Sequence, residues 1–219
     1  MPTSNKYNNK PKVSIWTYVA ILGFIVALIL LLIFTAPNSH RRIYQSFRDS
    51  QFTFGEAINE HKFNSDHHFR AINERQLLRA IERDELTVVF FGNPADQNSF
   101  NAIQDVNAYF GGAVVFRGSE SPHHIAPSAL YTQNIISNIR FLDIEGENMA
   151  RLSERINERL AEDADDINWV NVPMLAAFMN GEVIEFEFSL VGQQGIRNIR
   201  DFFQNVFEAY EEIRLGTNE

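Results

Sequence analysis

A chain of 219 residues, 45% hydrophobic and with 19 Phe, has enough apolar side chain for one ordinary domain plus an appendage. It contains no Cys, which excludes disulfides, thiol redox chemistry, thiolate metal sites and Cys nucleophiles together. The formal charge of -9 becomes -12 once Lys6, Lys10 and Lys12, the only charges before residue 38, are set aside, and so acidic a remainder is a poor nucleic-acid binder.

Residues 1–12 are polar and rich in Asn and Lys. Val13 to Phe34 (VSIWTYVAILGFIVALILLLIF) then runs 22 residues without a charge. At roughly 1.5 Å of rise per residue it spans the roughly 30 Å hydrocarbon core of a bilayer. A cleaved signal peptide is the rival reading, but its apolar region is shorter, about 7–15 residues, and no clear small-x-small cleavage site follows here. The expectation is therefore an uncleaved, single-pass membrane anchor over residues 13–34. Trp16 and Tyr18 lie near its amino end, where amphipathic aromatics favour the headgroup level. Three Lys precede the span, and Arg41, Arg42 and Arg48 follow it. This near balance leans towards an inside amino terminus and an extracytoplasmic domain, because the short tail would otherwise carry all its charge across.

Residues 35–68 are expected to be a juxtamembrane linker, opened by Pro37, Asn38 and Ser39. Ile43, Phe47, Phe52 and Phe54 are scattered in it among polar residues. They allow either a short amphipathic piece on the membrane or packing against the domain or a neighbouring chain. His61, His67 and His68 match no metal-ligand spacing and are expected in solvent.

The domain is expected to run from residue 69 to 219. FRAI from Phe69 can make a short strand, and Asn73 with Gln76 three residues on forms a capping box for a helix bearing Leu77, Leu78 and Ile81. Leu86 to Gly92 is an unbroken apolar run, the pattern of a strand buried on both faces. Gly92, Asn93 and Pro94 break it, and Phe100, Ile103, Val106 and Phe110 then recur at helical spacing. Ala113 to Phe116 is the next expected strand, followed by a long connection with a helix over Pro127 to Asn138 and a strand over Ile139 to Ile144. Asn148 to Ala161 is expected to be a solvated helix with Met149, Leu152, Ile156 and Leu160 on one face. Asp163, Asp165 and Asp166 lack the glycine and glutamate of a calcium loop and are expected to form a solvated turn. After Pro173, Met174 to Met179 and Glu182 to Phe188 form a hairpin around Asn180-Gly181. Ile184, Phe186 and Phe188 are expected on its buried face. Gly192 to Gly195 is expected to be a loop before a final helix bearing Ile196, Ile199, Phe203, Val206 and Tyr210.

This order of elements resembles the thioredoxin-like fold, an α/β fold with a mixed sheet flanked by helices. FFGNPADQNSF is similar to the FFGRPTCPYCRKF type of segment in bacterial thioredoxin-like accessory proteins of the bacteriocin transport accessory group. VNVPMLAAFMNGEVIEFEF is similar to the family's VPTLxxFxNGxxV segment, with Pro173 in the place of its cis-proline. The resemblance puts Asp96, Gln97, Asn98 and Ser99 where the family carries Cys-x-x-Cys, and with no Cys the family's thiol chemistry is absent. What it implies instead is a surface, made by Asn93, Asp96, Gln97, Asn98, Ser99, Val172 and Pro173, on which an extended peptide could pair with the backbone at Val172. The alternative is that Val172-Pro173 serves the fold only.

Three functions follow as expectations. One is a redox-inactive, membrane-anchored module that binds a protein or an extended segment at this surface. Another is a structural subunit of a membrane or secretion assembly that makes its contacts through the span and linker. The third is a non-redox enzyme using Asp96 and Ser99 with His123 or His124, although no nucleophile-elbow motif is present. No cofactor and no metal are implied.

Overall fold

The computed structural model describes residues 14–35, 39–117, 121–144, 149–160, 167, 169 and 171–216. Residues 163, 165 and 166, expected in a solvated turn, lie outside the described residues. Residues 1–38 and 39–219 form separate compact units. The described part of the first is helix α1 (Ile15–Thr35), 21 residues without an acidic or basic side chain in its end turns. Its side chains are described only as far as residue 28, and among the described residues no helix is long and apolar enough to cross a membrane.

The second unit is a mixed α/β fold. Its central sheet is built from β1 (Phe69–Ala71), β2 (Thr87–Gly92), β5 (Ile139–Asp143), β6 (Met174–Met179) and β7 (Glu182–Glu187), and its five strands lie in the order β1-β5-β2-β6-β7. β1, β5 and β2 are parallel, whereas β6 and β7 run antiparallel to their neighbours. A separate ribbon pairs β3 (Ala113–Arg117) with β4 (Ser121–Ile125).

Two cores form because β2 alternates its side chains between two covered faces. Val88 and Phe90 join a core with Phe47, Phe63, Phe100 and Phe203, whereas Val89 and Phe91 join one with Leu77, Ile81, Ile156 and Trp169. The first core is closed by α2 (Ser39–Phe54), α4 (Gln97–Gly111), α5 (Ala129–Thr132) and α7 (Gly192–Gly216). The second is closed by α3 (Glu74–Ile81) and α6 (Met149–Asn157). Asn73 caps α3 with the full capping box: its side chain accepts from the Gln76 N–H, and Gln76 answers from the Asn73 N–H. Arg155 of α6 pairs with Glu74, and Arg159 just beyond it with Glu82.

Several expectations are corrected. The compact unit begins at Ser39, because residues 39–68 are part of the fold and no linker. Ile43 and Phe47 lie one helical turn apart on α2 and both are buried, Phe47 edge-on to Phe63 and Phe141. Burying a Phe of this kind contributes roughly 1.5–3 kcal/mol. β3 does not enter the central sheet, and the connection after it holds a strand and only a short helix where a helix over 127–138 was expected.

Of the residues expected on the buried face of β7, Ile184 packs against the first core, but Phe186 and Phe188 are exposed. The β6–β7 register shifts between Ala177 and Phe178, so Val183 pairs with Phe178 while Phe186 pairs with Ala176. The bulge falls at Ile184, and Phe188, just beyond the strand, is 55% exposed. Gly192 to Gly195 is the first turn of α7, and Gly195 is buried there. A Cβ on Gly195 would lie 2.2 Å from the carbonyl carbon of Leu190, so this glycine serves close packing.

His67, expected in solvent, is only 2% exposed. Its Nδ1 accepts from the Phe69 N–H at 3.1 Å, so its proton is on Nε2, which donates to the His40 carbonyl at 2.8 Å. His40 Nδ1 lies 3.1 Å from the His67 carbonyl, so the two residues clasp α2 to the segment that enters β1. Burial, with the nearby His40 and His68, lowers the His67 pKa to about 4 from an ordinary 6.5. His68 is lowered too, by burial and by His40.

Between those two values the unfolded chain binds the extra proton and the folded one does not. Stability should therefore be full above about pH 6.5 and fall by about 3 kcal/mol as the pH drops towards 4, levelling off below. Urea unfolding across this range in the wild type and in His67→Gln measures it; a slope identical in both would disprove the role of His67.

Candidate functional site

The antiparallel pairing of β2 with β6 sets Phe91 opposite Met174. Continuing that register by one residue brings Gly92 level with Pro173, and by another brings Asn93 level with Val172. The strand that leads into α4 and the strand that leaves Pro173 thus place the turn Asn93–Asp96 and the pair Val172-Pro173 side by side at one end of the sheet. The Val172-Pro173 peptide is cis.

The turn is knit by its own side chains. Asn93 Oδ1 accepts from the Ala95 N–H at 2.8 Å, and the Asn93 carbonyl accepts from the Asp96 N–H at 2.9 Å. Asp96 then caps α4, its carboxylate accepting from the Ser99 N–H at 2.7 Å. Ser99 is buried, and its hydroxyl accepts from the Asn93 N–H at 3.2 Å, closing the turn onto the first turn of the helix. Gln97 and Asn98 are exposed, and Gln97 donates to Glu56 at 3.0 Å.

On the other side Val172 is half-buried against the second core, and Pro173 is buried. The N–H of Val172 donates no hydrogen bond to another described residue, and its C=O accepts none from one. Trp169, fully buried, holds the segment before it: its Nε1 donates to Asn157 on α6 at 2.6 Å, and its ring lies against Phe91 and Phe178.

Of the residues expected at the site, Asn93, Asp96 and Ser99 are joined by hydrogen bonds, and the β2–β6 register brings Val172 and Pro173 alongside them. The proposed set of Asp96, Ser99 and a histidine does not assemble. His124 pairs with Val114 beyond the far end of α4, and both His123 and His124 line a cavity of about 530 Å³ with Tyr109. From Ser99 to Tyr109 the helix alone extends roughly 15 Å. The Ser99 hydroxyl, buried and used in the turn, has no histidine base beside it. Among the described residues no group of three or more His, Asp or Glu side chains is placed to hold a metal ion.

Sequence reasoning missed Trp169 and Glu56. One of only two Trp, set four residues before a proline that begins a strand, was the available signal for the first. Nothing local marked Glu56, since it reaches Gln97 only because residues 39–68 fold back onto the unit.

No protein-family model matches the chain, and no curated protein matches it. What the fold defines is an α/β protein with a five-stranded mixed sheet flanked by helices.

Two substitutions separate the supports of this end of the sheet. Asp96→Ala should cost about 1 kcal/mol in denaturant unfolding through loss of the cap. Trp169→Ala should cost about 3–5 kcal/mol and expose the backbone before Pro173 to faster hydrogen exchange. Equal costs for the two would disprove this division.

Proposed function

We propose that residues 39–216 form a thioredoxin-like module without redox chemistry, tethered to a membrane through residues 13–34, which binds an extended segment of a partner protein. The order of the five sheet strands and the placing of Pro173 at the head of β6 support the family reading. The tether rests on the amino-acid sequence, in which residues 13–34 run without a charge, and the lean of the flanking charges puts the domain on the extracytoplasmic side.

The observation that carries the binding reading is the backbone of Val172. It lies beside the head of α4 with its donor and acceptor unengaged by any described residue, as a strand-pairing contact requires. Asn93, Asp96, Gln97, Asn98, Ser99 and Pro173 frame this backbone. Gln97 and Asn98 offer exposed amides for specificity, while Ser99 and Pro173 support from below. The assembly-subunit alternative loses two of its linker contacts, since Ile43 and Phe47 face the core; Phe52, 82% exposed, is the one large apolar side chain of α2 fully available outside.

Photo-crosslinking in native membranes tests the surface, with probes replacing Val172 and Asn98 on it and Phe52 away from it. A discrete protein adduct from Val172 and Asn98, lost in a Val172→Asp chain that keeps its near-UV circular dichroism, is expected. Adducts from Phe52 alone would overturn the reading. The tether is tested by alkaline carbonate extraction of the full chain, which should leave it with the membrane pellet; its release to the supernatant would disprove the anchor.

A further inference from the structure

The end of the sheet opposite to the turn at Asn93 carries a second feature. β1 and β5 run parallel in a register that sets Arg70 beside Arg140, and residues in register on neighbouring strands share a face. Arg83, just beyond α3, lines the same cavity, which has a volume of about 360 Å³. Tyr210, Ser137 and Asn138 add hydroxyl and amide donors to its wall.

This arrangement is costly as it stands. Like charges directly side by side on adjacent strands destabilise their pairing. Arg140 is half-buried, and a guanidinium that gives up water needs an anionic partner in exchange. Among the described residues, none of the three arginines makes an ion pair. Asp84 and Glu85 also line the cavity without closing one. Burial first, and then Arg70 and Arg83, lower the Arg140 pKa from its ordinary value, with Glu85 opposing. Solvated surface arginines account for Arg70 and Arg83, which are exposed, but not for the half-buried Arg140.

We propose that this cavity is a binding site for a compact oxyanion, the phosphate or carboxylate group of a small ligand, held by Arg70, Arg83 and Arg140. The planar guanidinium fork matches either group with two parallel hydrogen bonds, and three forks around one cavity replace mutual repulsion with shared attraction. The site is separate from the surface at Val172, because Thr87 lines the cavity at one end of β2 whereas Gly92, beside that surface, is at the other end, roughly 16 Å away.

The test is thermal unfolding of the full chain in detergent with millimolar sodium phosphate, sodium succinate or sodium chloride at matched ionic strength. It compares the wild type, Arg140→Gln and, as a control outside the cavity, Arg79→Gln. Phosphate should raise the melting temperature of the wild type and of Arg79→Gln by a few degrees over chloride, and its affinity should be about tenfold or more weaker in Arg140→Gln. In chloride alone Arg140→Gln should melt no lower than the wild type, since the substitution removes a like charge. A succinate shift in place of the phosphate shift, lost in the same variant, supports the site with a carboxylate ligand. No shift with either anion, or a shift that Arg140→Gln retains, overturns the proposal.

Discussion

β2 is hydrogen-bonded on both edges and covered on both faces, and the other elements take their places from it. A strand in that position has no wet side to absorb an error: moving its register by one residue would exchange Val88 and Phe90 with Val89 and Phe91 between two cores of different shape. Its parallel neighbour β5 and its antiparallel neighbour β6 are aligned by the same ladder. The chain leaves β2 at Gly92 and turns at once into α4, while it enters β6 at Met174 from Pro173. The closeness of Asn93–Ser99 to Val172-Pro173 is thus a property of the sheet, and the side chains there only refine it.

The refinement is polar on one side and apolar on the other. Asn93, Asp96 and Ser99 satisfy one another and the first amide groups of α4, which fixes the turn without a buried charge. Trp169 anchors the opposite segment by area and by a single indole hydrogen bond to α6. The backbone at Val172 is thereby held between two rigid supports, which would lower the ordering cost of the strand pairing proposed above.

Much of this was legible in the sequence where one local signal decides the outcome. The continuous run Leu86–Gly92, the capping box at Asn73 and the Asn180-Gly181 turn each specify an element by short-range chemistry, and each forms where the pattern puts it. The failures share a physical cause, which is dependence on distant partners. Ile43, Phe47 and Phe63 are too sparse to announce a core layer, yet they become one because α2 packs against β1 and α4. His67 reads as polar until His40 and the Phe69 N–H satisfy both ring nitrogens of its neutral form. The β7 bulge depends on pairing with β6, which no periodicity within β7 reports. At the candidate site, Asp96 as cap and Pro173 before β6 could be read, whereas the engagement of the Ser99 hydroxyl and the distance to His123 and His124 required the folded chain.

The shifted register of β7 has a further effect at the border of the sheet. Among the described residues β7 has a partner on one side only, and an unpaired strand border invites the same border of a second chain. Here the border bends at the irregularity opposite Ala177, and it carries Glu182, Glu185 and Glu187 within six residues. Two such borders brought together would set carboxylate against carboxylate along a line that is not straight, so neighbouring copies can crowd without merging their sheets.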